Sequence, residues 1–311
     1  MKDGDLVGGH KVIMIGVKPK VGVIMATYNG AKFILEQLVT IDAQVGVDVT
    51  IFVSDDCSTD NTTSIVKEFA HNAKCNIVAV NSSIRYGSAT SNFLNTFMNV
   101  AHDNFDYICF SDQDDVWLPL KLSKAISYMN KHSLVGYSSN VISWYPANGR
   151  TNLVKKDDAQ TSFDFMFQGC GPGCTMVMKS DVCQKLDLFL KNMEAHEFES
   201  IWFHDWFVYA FFRANNYAWG IDNYSGILYR QHDNNVIGAN DGFLSIFRRL
   251  YLLKRWRKET LSMAQILGYE NDLPVFRLKF ANLYFLTKPF KTRRNFRESL
   301  MLFVLSILFL L

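Results

Sequence analysis

The sequence is poor in several features that would place it outside ordinary folded proteins. Six prolines and 18 glycines in 311 residues exclude collagen-like and proline-rich disordered chains. The six cysteines, at positions 57, 75, 109, 170, 174 and 183, are scattered singly or in one loose pair. That excludes a disulfide scaffold, and Cys75 and Cys109, near or within apolar runs, read as small core hydrophobes. No apolar run reaches the roughly 20 residues that a spanning helix needs. The closest, Leu300–Leu311, would reach about 18 Å as a helix, enough to dip into a bilayer or to begin a longer segment. Residues 1–20 are punctuated by glycine and charge, and their one apolar run, Val12–Val17, is too short for a secretory signal. A reducing, cytoplasmic setting follows as the expectation. No strand leads into Gly-x-Gly-x-x-Gly; Gly169-Cys-Gly-Pro-Gly173 comes late and carries a proline, which makes a poor dinucleotide loop.

What is present is a globular composition, 49% hydrophobic, 14% aromatic and 20% charged. The length allows a core domain of about 200–250 residues with an appendage. The net charge of +2 hides a division. Residues 243–297 hold 13 Lys/Arg against 3 Asp/Glu, or +10, which leaves −8 for the remainder. An acidic body with a basic tail suggests an anionic surface as one partner.

Strands and helices alternate along the first half. Val21–Ala26 is a β-branched run ended by Thr27-Tyr28-Asn29-Gly30, and Ala31–Gln44 has a helical period at Phe33, Ile34, Leu38 and Ile41. Val47–Val53 is a second strand, ended by Ser54-Asp55-Asp56, with Ser58 or Asp60 placed to cap the next helix. Asn76–Val80 and Tyr107–Phe110 are the third and fourth strands, with a helix over Ser91–His102 between them. His71 and His102, in helical contexts, read as surface residues. A helix from Pro119 to Lys131 follows, with proline in its first turn. This alternation predicts an α/β fold, a mostly parallel sheet flanked by helices. Ligands sit at the carboxyl ends of such strands, and three of these four strands end in polar clusters. Shorter strands follow at Gly136–Trp144, Cys174–Lys179, Ala218–Ile221 and Ser225–Arg230, with an aromatic helix near Trp202–Phe212.

Asp112, Asp114 and Asp115 place three carboxylates within four residues after a buried strand. Such charges repel unless a cation or hydrogen-bond donors compensate them. A hard divalent ion, Mg²⁺ or Mn²⁺, held by one or two carboxylates and by substrate phosphates fits this chemistry. Cys170 and Cys174 have no second Cys or His pair at zinc spacing and are not read as a zinc site.

Val-Ile-Met-Ala-Thr-Tyr-Asn-Gly (23–30), Val-Ser-Asp-Asp-Cys-Ser-Thr-Asp-Asn-Thr (53–62) and Phe-Ser-Asp-Gln-Asp-Asp-Val-Trp (110–117) resemble the nucleotide-binding motifs of family 2 glycosyltransferases. The third resembles the DXD motif of the GT-A fold, and the likeness runs from about Lys20 to Ala239. It implies a nucleotide-sugar donor, dTDP- or UDP-linked, bound through Thr27, Tyr28, Asn29, Asp55, Asp56, Asp112, Gln113, Trp117 and Arg230. Within that set Tyr28 and Asp56 would receive a pyrimidine base, Asp55 would be structural, and Arg230 would neutralise phosphate. Asp112 would face the ribose or the metal through water, Asp114 would ligate the metal directly, His232 could approach the metal or the diphosphate, and Asp115 would orient the loop. The family usually has Gly where this chain has Cys57. Gln168–Thr175 resembles the flexible loop under the donor sugar, which implicates Gly169, Gly171 and Gly173. His204-Asp205-Trp206 resembles the family's catalytic-base motif, which implies that Asp205 would be the base and that His204 and Trp206 would belong to the donor-sugar and acceptor region, with Glu197 and Glu199 as fallback bases.

Tyr229-Arg230-Gln231-His232, continuing through Asn234-Asn235-Val236-Ile237-Gly238, together with 111–117, most resembles the rhamnosyltransferase-like branch. That branch uses dTDP-β-L-rhamnose and builds bacterial O-antigen or capsular polysaccharide. The resemblance therefore implies an inverting, metal-dependent transfer of one sugar to a lipid-linked glycan. UDP-hexose donors stay open. The Gln-x-x-Arg-Trp signature of processive synthases is missing. Rival classes are a nucleotidyltransferase, which would want a Gly-rich basic loop after the first strand, and a non-catalytic membrane adaptor.

Three regions are expected: an N-terminal extension (1–20), a GT-A catalytic domain (21–242) and a helical basic extension (243–311). Within the last, Phe243–Lys258 places Phe243, Ile246, Phe247, Leu250, Leu253 and Trp256 on one face and most of its basic residues elsewhere. That is the pattern of an interfacial helix, and it favours the anionic inner face of a bacterial membrane over nucleic acid. The alternative is that this helix and another around Phe276–Leu286 pack on the catalytic domain.

Overall fold

The computed structural model of the chain describes residues 17–80, 85–232, 255, 258–269, 293–297 and 300. Most of the amphipathic segment 243–258, the helix expected around Phe276–Leu286, the segment 234–238 and the apolar run after Leu300 lie outside the described residues.

The first half alternates as expected: β1 (Lys20–Thr27), α1 (Ile34–Asp42), β2 (Asp48–Asp55), α2 (Thr62–Ala70), β3 (Asn76–Val80), α3 (Ala89–Met98) and β4 (Tyr107–Ser111). β5 (Val116–Trp117) and α4 (Lys121–Lys131) follow, so Pro119 precedes the helix instead of lying in its first turn. β1 and β4 are apolar runs without alternation because helices cover both faces of their sheet. From Val21 to Met25 and from Ile108 to Phe110 every hydrophobic side chain is fully buried. The α2 cap differs from expectation. Asn61 stands at the N-cap position without a side-chain cap bond, while Asp60 takes the Thr62 N–H at 3.0 Å and Ser58 turns back to Asp55.

The second half adds β6 (Gly136–Ser139), β7 (Val141–Tyr145), β8 (Arg150–Val154), α5 (Asp164–Phe167), β9 (Val177–Lys179), α6 (Ser180–Lys191), α7 (Ala195–Ser200), α8 (His204–Ala214), β10 (Trp219–Asp222) and β11 (Ile227–Arg230). The strand expected over Gly136–Trp144 is two strands in two sheets. Asn140 breaks it: its Oδ1 accepts the Lys156 and Asp157 N–H groups, and its Nδ2 donates to Asp157 Oδ1 and the Asn223 carbonyl.

The larger sheet has the order β10-β6-β9-β4-β1-β2-β3. Its strands are parallel except β9, which runs against both β4 and β6. The smaller sheet is β5-β11-β7-β8; it pins β11 beside the turn that follows β4, through Ile227 opposite Trp117. Core packs on both faces of the larger sheet. One cluster joins α3, β4, α6 and α8, and the other joins β1, β2, α1 and α4. His102 belongs to the interior and not the surface, buried with its ring 4.5 Å from Phe97; burial lowers its pKa. No helix among the described residues is long and apolar enough to cross a membrane.

Candidate active site

The carboxyl ends of β1, β2 and β4 meet, and their loops are bound to one another. Gln113 clasps the first motif: its Oε1 accepts the Tyr28 N–H and its Nε2 donates to the Tyr28 carbonyl, both at 3.0 Å. A Cβ at Gly30 would stand 2.1 Å from that Oε1, so the clasp requires glycine there. Asn29, with φ of 48°, ties the first loop to the second by accepting the Thr59 N–H at 2.8 Å. Asp55 accepts from the hydroxyls of Thr27 and Ser58, which is the structural role expected of it. Cys57 has φ of 61°, the left-handed conformation that explains a glycine preference at this position.

Tyr28 is 40% exposed and presents its ring above this junction, with the Arg85 guanidinium 4.8 Å from its centroid and donating to its hydroxyl. Asp56 accepts the Tyr86 and Gly87 N–H groups, so it also holds the loop that carries Arg85. Arg85 escaped the sequence reading because 81–88 matches no motif.

Several residues expected to touch the donor are interior. Thr27 is buried against Ser54 and Asp55. Trp117 is buried in β5, with the Lys121 ammonium against its ring. Arg230 is buried too: its backbone N–H meets Asp115, its Nε meets the Asp114 carbonyl at 2.7 Å and its Nη2 meets Glu36. Its guanidinium lies between Phe33 and Trp144. Its work is to lock β11 under the acidic turn, and it is not placed to meet phosphate.

In the acidic turn His232 meets Asp114, whereas the groups that could share one cation, among the described residues, are Asp112, Asp115 and Cys174, without Asp114. His232 Nε2 stands 2.8 Å from Asp114 Oδ2. Asp112, Asp115 and Cys174 bring one ligand atom each to within 4.8 Å of one another. Burial, then the charges of Asp114 and Asp205, push the Asp112 carboxyl up to about 7. Burial and its acidic neighbours also hold Asp115 well above the usual carboxylate range. A divalent cation relieves this repulsion, and the set is mostly hard oxygen, so the residues present fit Mg²⁺ or Mn²⁺. Asp115 and Cys174 were not expected as ligands. The adjacency of Asp115 to the DXD pair was the available signal; Cys174 is brought in by the fold alone.

Across from this turn stands the start of α8. Burial raises the Asp205 carboxyl to about 6, although the Trp206 and Gly173 N–H groups and the Lys156 charge oppose the rise. His204 and Trp206 pack inward. The His204 ring stacks on Phe93 at 4.2 Å and stands edge-on to Phe110, and burial lowers its pKa to about 3. Trp206 is buried, donating its indole N–H to the Phe165 carbonyl at 2.8 Å. Both support the glycine loop: a Cβ at Gly173 would stand 2.6 Å from His204 Nε2, and one at Gly169 would touch Trp206. Gly171 has φ of 134°. Glu197 forms a capping box with Glu194 at the start of α7.

The turn of carboxylates, the exposed tyrosine and the opposed, partly buried carboxylate of Asp205 together have the chemistry to bind a nucleotide diphosphate and accept a proton beside it. Comparison with known proteins gives the family and the fold. The family model described as "Glycosyl transferase family 2" matches residues 22–186. The chain is 41% identical over 288 residues to a Shigella flexneri protein named dTDP-rhamnosyl transferase RfbG, covering 91% of this chain and 99% of that one. It is 29% identical over 160 residues to Escherichia coli WfgD, named as a UDP-Glc:alpha-D-GlcNAc-diphosphoundecaprenol beta-1,3-glucosyltransferase, covering 51% of this chain and 59% of that one. Two solved structures share the fold. Staphylococcus aureus TarS with UDP-GlcNAc has TM-score 0.52 and 19% identity, over 93% of this chain and 81% of that one. Pyrobaculum calidifontis mannosyltransferase PcManGT with GDP-Man and Mn²⁺ has TM-score 0.51 and 18% identity, over 95% and 81%.

Proposed function

We propose, because the chain belongs to glycosyl transferase family 2, that it moves one L-rhamnose from dTDP-β-L-rhamnose, with inversion, to a lipid-linked oligosaccharide in bacterial surface polysaccharide assembly. The observation that carries the donor is the identity to the Shigella rhamnosyl transferase along nearly both whole chains. A diphosphoundecaprenol-linked acceptor, named for the Escherichia coli relative, supports the acceptor class.

The residues take the following roles. Tyr28 and Asp56 receive the thymine base, the exposed ring by stacking and the carboxylate by accepting the imide N–H. Asp112 and Asp114, with His232 beside Asp114 and with Asp115 and Cys174 behind, would hold Mg²⁺ or Mn²⁺. Such an ion, when bound, neutralises the charge that gathers on the departing diphosphate. Asp205 takes the proton from the acceptor hydroxyl as its oxygen attacks the anomeric carbon from the face opposite the leaving group. A bond forms from that carbon to the acceptor oxygen, the bond to the phosphate oxygen breaks, and its electron pair leaves with dTDP. The protein works at the inner face of the cell membrane, where such acceptors are presented.

Donor hydrolysis tests this without an acceptor. We expect metal-dependent release of dTDP from dTDP-rhamnose, abolished in Asp114→Ala. Selective turnover of a UDP-hexose would discard rhamnose. Release of pyrophosphate from a nucleoside triphosphate and a sugar phosphate would replace the reaction with nucleotidyl transfer.

A further inference from the structure

Part of the basic tail is built into the catalytic domain. Arg294, whose side chain is 5% exposed, donates from Nη1 to Asp164 Oδ2 at 3.1 Å and from Nη2 to the Gly169 carbonyl at 2.7 Å. Asp164 is fully buried and also accepts from the Tyr209 hydroxyl at 2.7 Å and from Arg213 Nη1 at 3.1 Å. Arg293 Nη1 donates to Gln168 Oε1 at 3.3 Å. The tail therefore holds Gln168 and Gly169, the first two residues of the glycine loop. At the far end of that loop Gly173 lies against Asp205, where an added Cβ would stand 3.4 Å from the Asp205 Cβ. The tail thus meets one end of the loop and Asp205 the other.

We infer that Arg294 is a positioning residue: its two-pronged contact sets the start of the glycine loop and, through Gly173, the seat of Asp205. The inference rests on the transferase reading above, which makes Asp205 the base. A guanidinium suits the place because its planar fork spans a carboxylate and a carbonyl at once, whereas an ammonium offers one point charge. A lone buried cation would be strongly unfavourable there, and Asp164 offsets it. The family-matched region ends at residue 186, so this contact comes from a segment outside it.

The test uses full-length Arg294→Lys and Arg294→Ala, with three readouts: amide exchange, nucleotide affinity and turnover. We expect amides of 168–175 to exchange faster in both variants, while those of β1 and β2 keep their wild-type rates. Transfer kcat should fall about 10- to 100-fold, the scale of a misplacement of about 1 Å, with dTDP affinity unchanged. Added guanidinium should restore part of the Arg294→Ala rate. Wild-type exchange in the loop, or a rate loss that matches only the unfolded fraction, overturns the inference. Where Arg294→Ala does not fold, loop exchange in Arg294→Lys decides. A wild-type chain that hydrolyses no nucleotide sugar would remove the transferase reading, and the exchange measurement would still decide the contact.

Discussion

Asp205 joins two demands that oppose each other, burial and ionisation. Burial lifts its carboxyl to about 6, which leaves it about 90% ionised one unit higher and makes it a stronger base than an exposed aspartate. As the proposed base Asp205 must be ionised to act, so activity should be lost as pH falls through about 6. The stability linkage has the opposite sense, because a raised carboxyl stabilises the fold below its ordinary range and loses that contribution as pH rises through about 6. We expect kcat to follow an acid limb with apparent pKa near 6. Asp205→Asn should remove the limb and slow transfer by about 10²- to 10⁴-fold. A profile flat across that range, or an active Asn variant, would assign the proton to another group. Asp112 and Asp114 stood out in the sequence as carboxylates crowded after a buried strand, whereas Asp205 was singled out only by the resemblance of His204-Asp205-Trp206 to the family's catalytic-base motif. The places of Arg230 and Trp117 were not legible there. A motif states that a residue belongs to a site without stating which way it faces, and both turn inward to support the turn.

At the scale of elements, the start of α8 depends on a distant segment. Glu259 accepts the Trp202 N–H through both carboxylate oxygens, at 3.0 and 3.1 Å, and the Phe203 N–H at 3.3 Å. Arg255 lies over the Trp202 ring. Glu259→Ala leaves these N–H groups without an acceptor and should cost about 1–3 kcal/mol, read as a lower melting temperature. Glu259→Gln keeps an acceptor and removes the charge. Burial raises Glu259 to about 7, so its stabilising contribution is present at low pH and lost as pH rises through about 7. The Gln variant should therefore gain on wild type between about pH 5 and about pH 8 in thermal melts; a constant difference would show that Glu259 does not titrate there. The β-α alternation up to β4 was readable because each strand is a continuous apolar run. The boundary at Asn140 was not, since a polar residue between two strand-forming runs looks the same whether it bends one strand or divides two. α6 also has its signal in the sequence: Val182, Leu186 and Leu190 recur at helical spacing and are buried.

The whole molecule is electrically divided, with +10 on residues 243–297 and −8 elsewhere, and the two parts are joined. Met263 and Ala264 enter the same core cluster as α8, and Arg294 reaches the glycine loop. One attachment is at the core beneath α8 and the other at the start of the glycine loop, so a membrane that gathered the tail would bring that loop with it. Cutting the chain at residue 242 would be a poor test of this, because it strips buried residues from that core. Substitution of Arg248, Arg249 and Lys254 by Gln reads the charge alone. We expect full-length protein to co-sediment with vesicles containing phosphatidylglycerol at low salt, and to dissociate as the screening length falls to about 10 Å near 0.1 M. Each substitution should weaken binding by about 1 kcal/mol, while turnover of a water-soluble acceptor stays at the wild-type rate. Equal binding to neutral vesicles would replace the electrostatic contact with an apolar one. Absence of binding to either would leave the basic segment as a surface packed on the catalytic domain, with its charges in water.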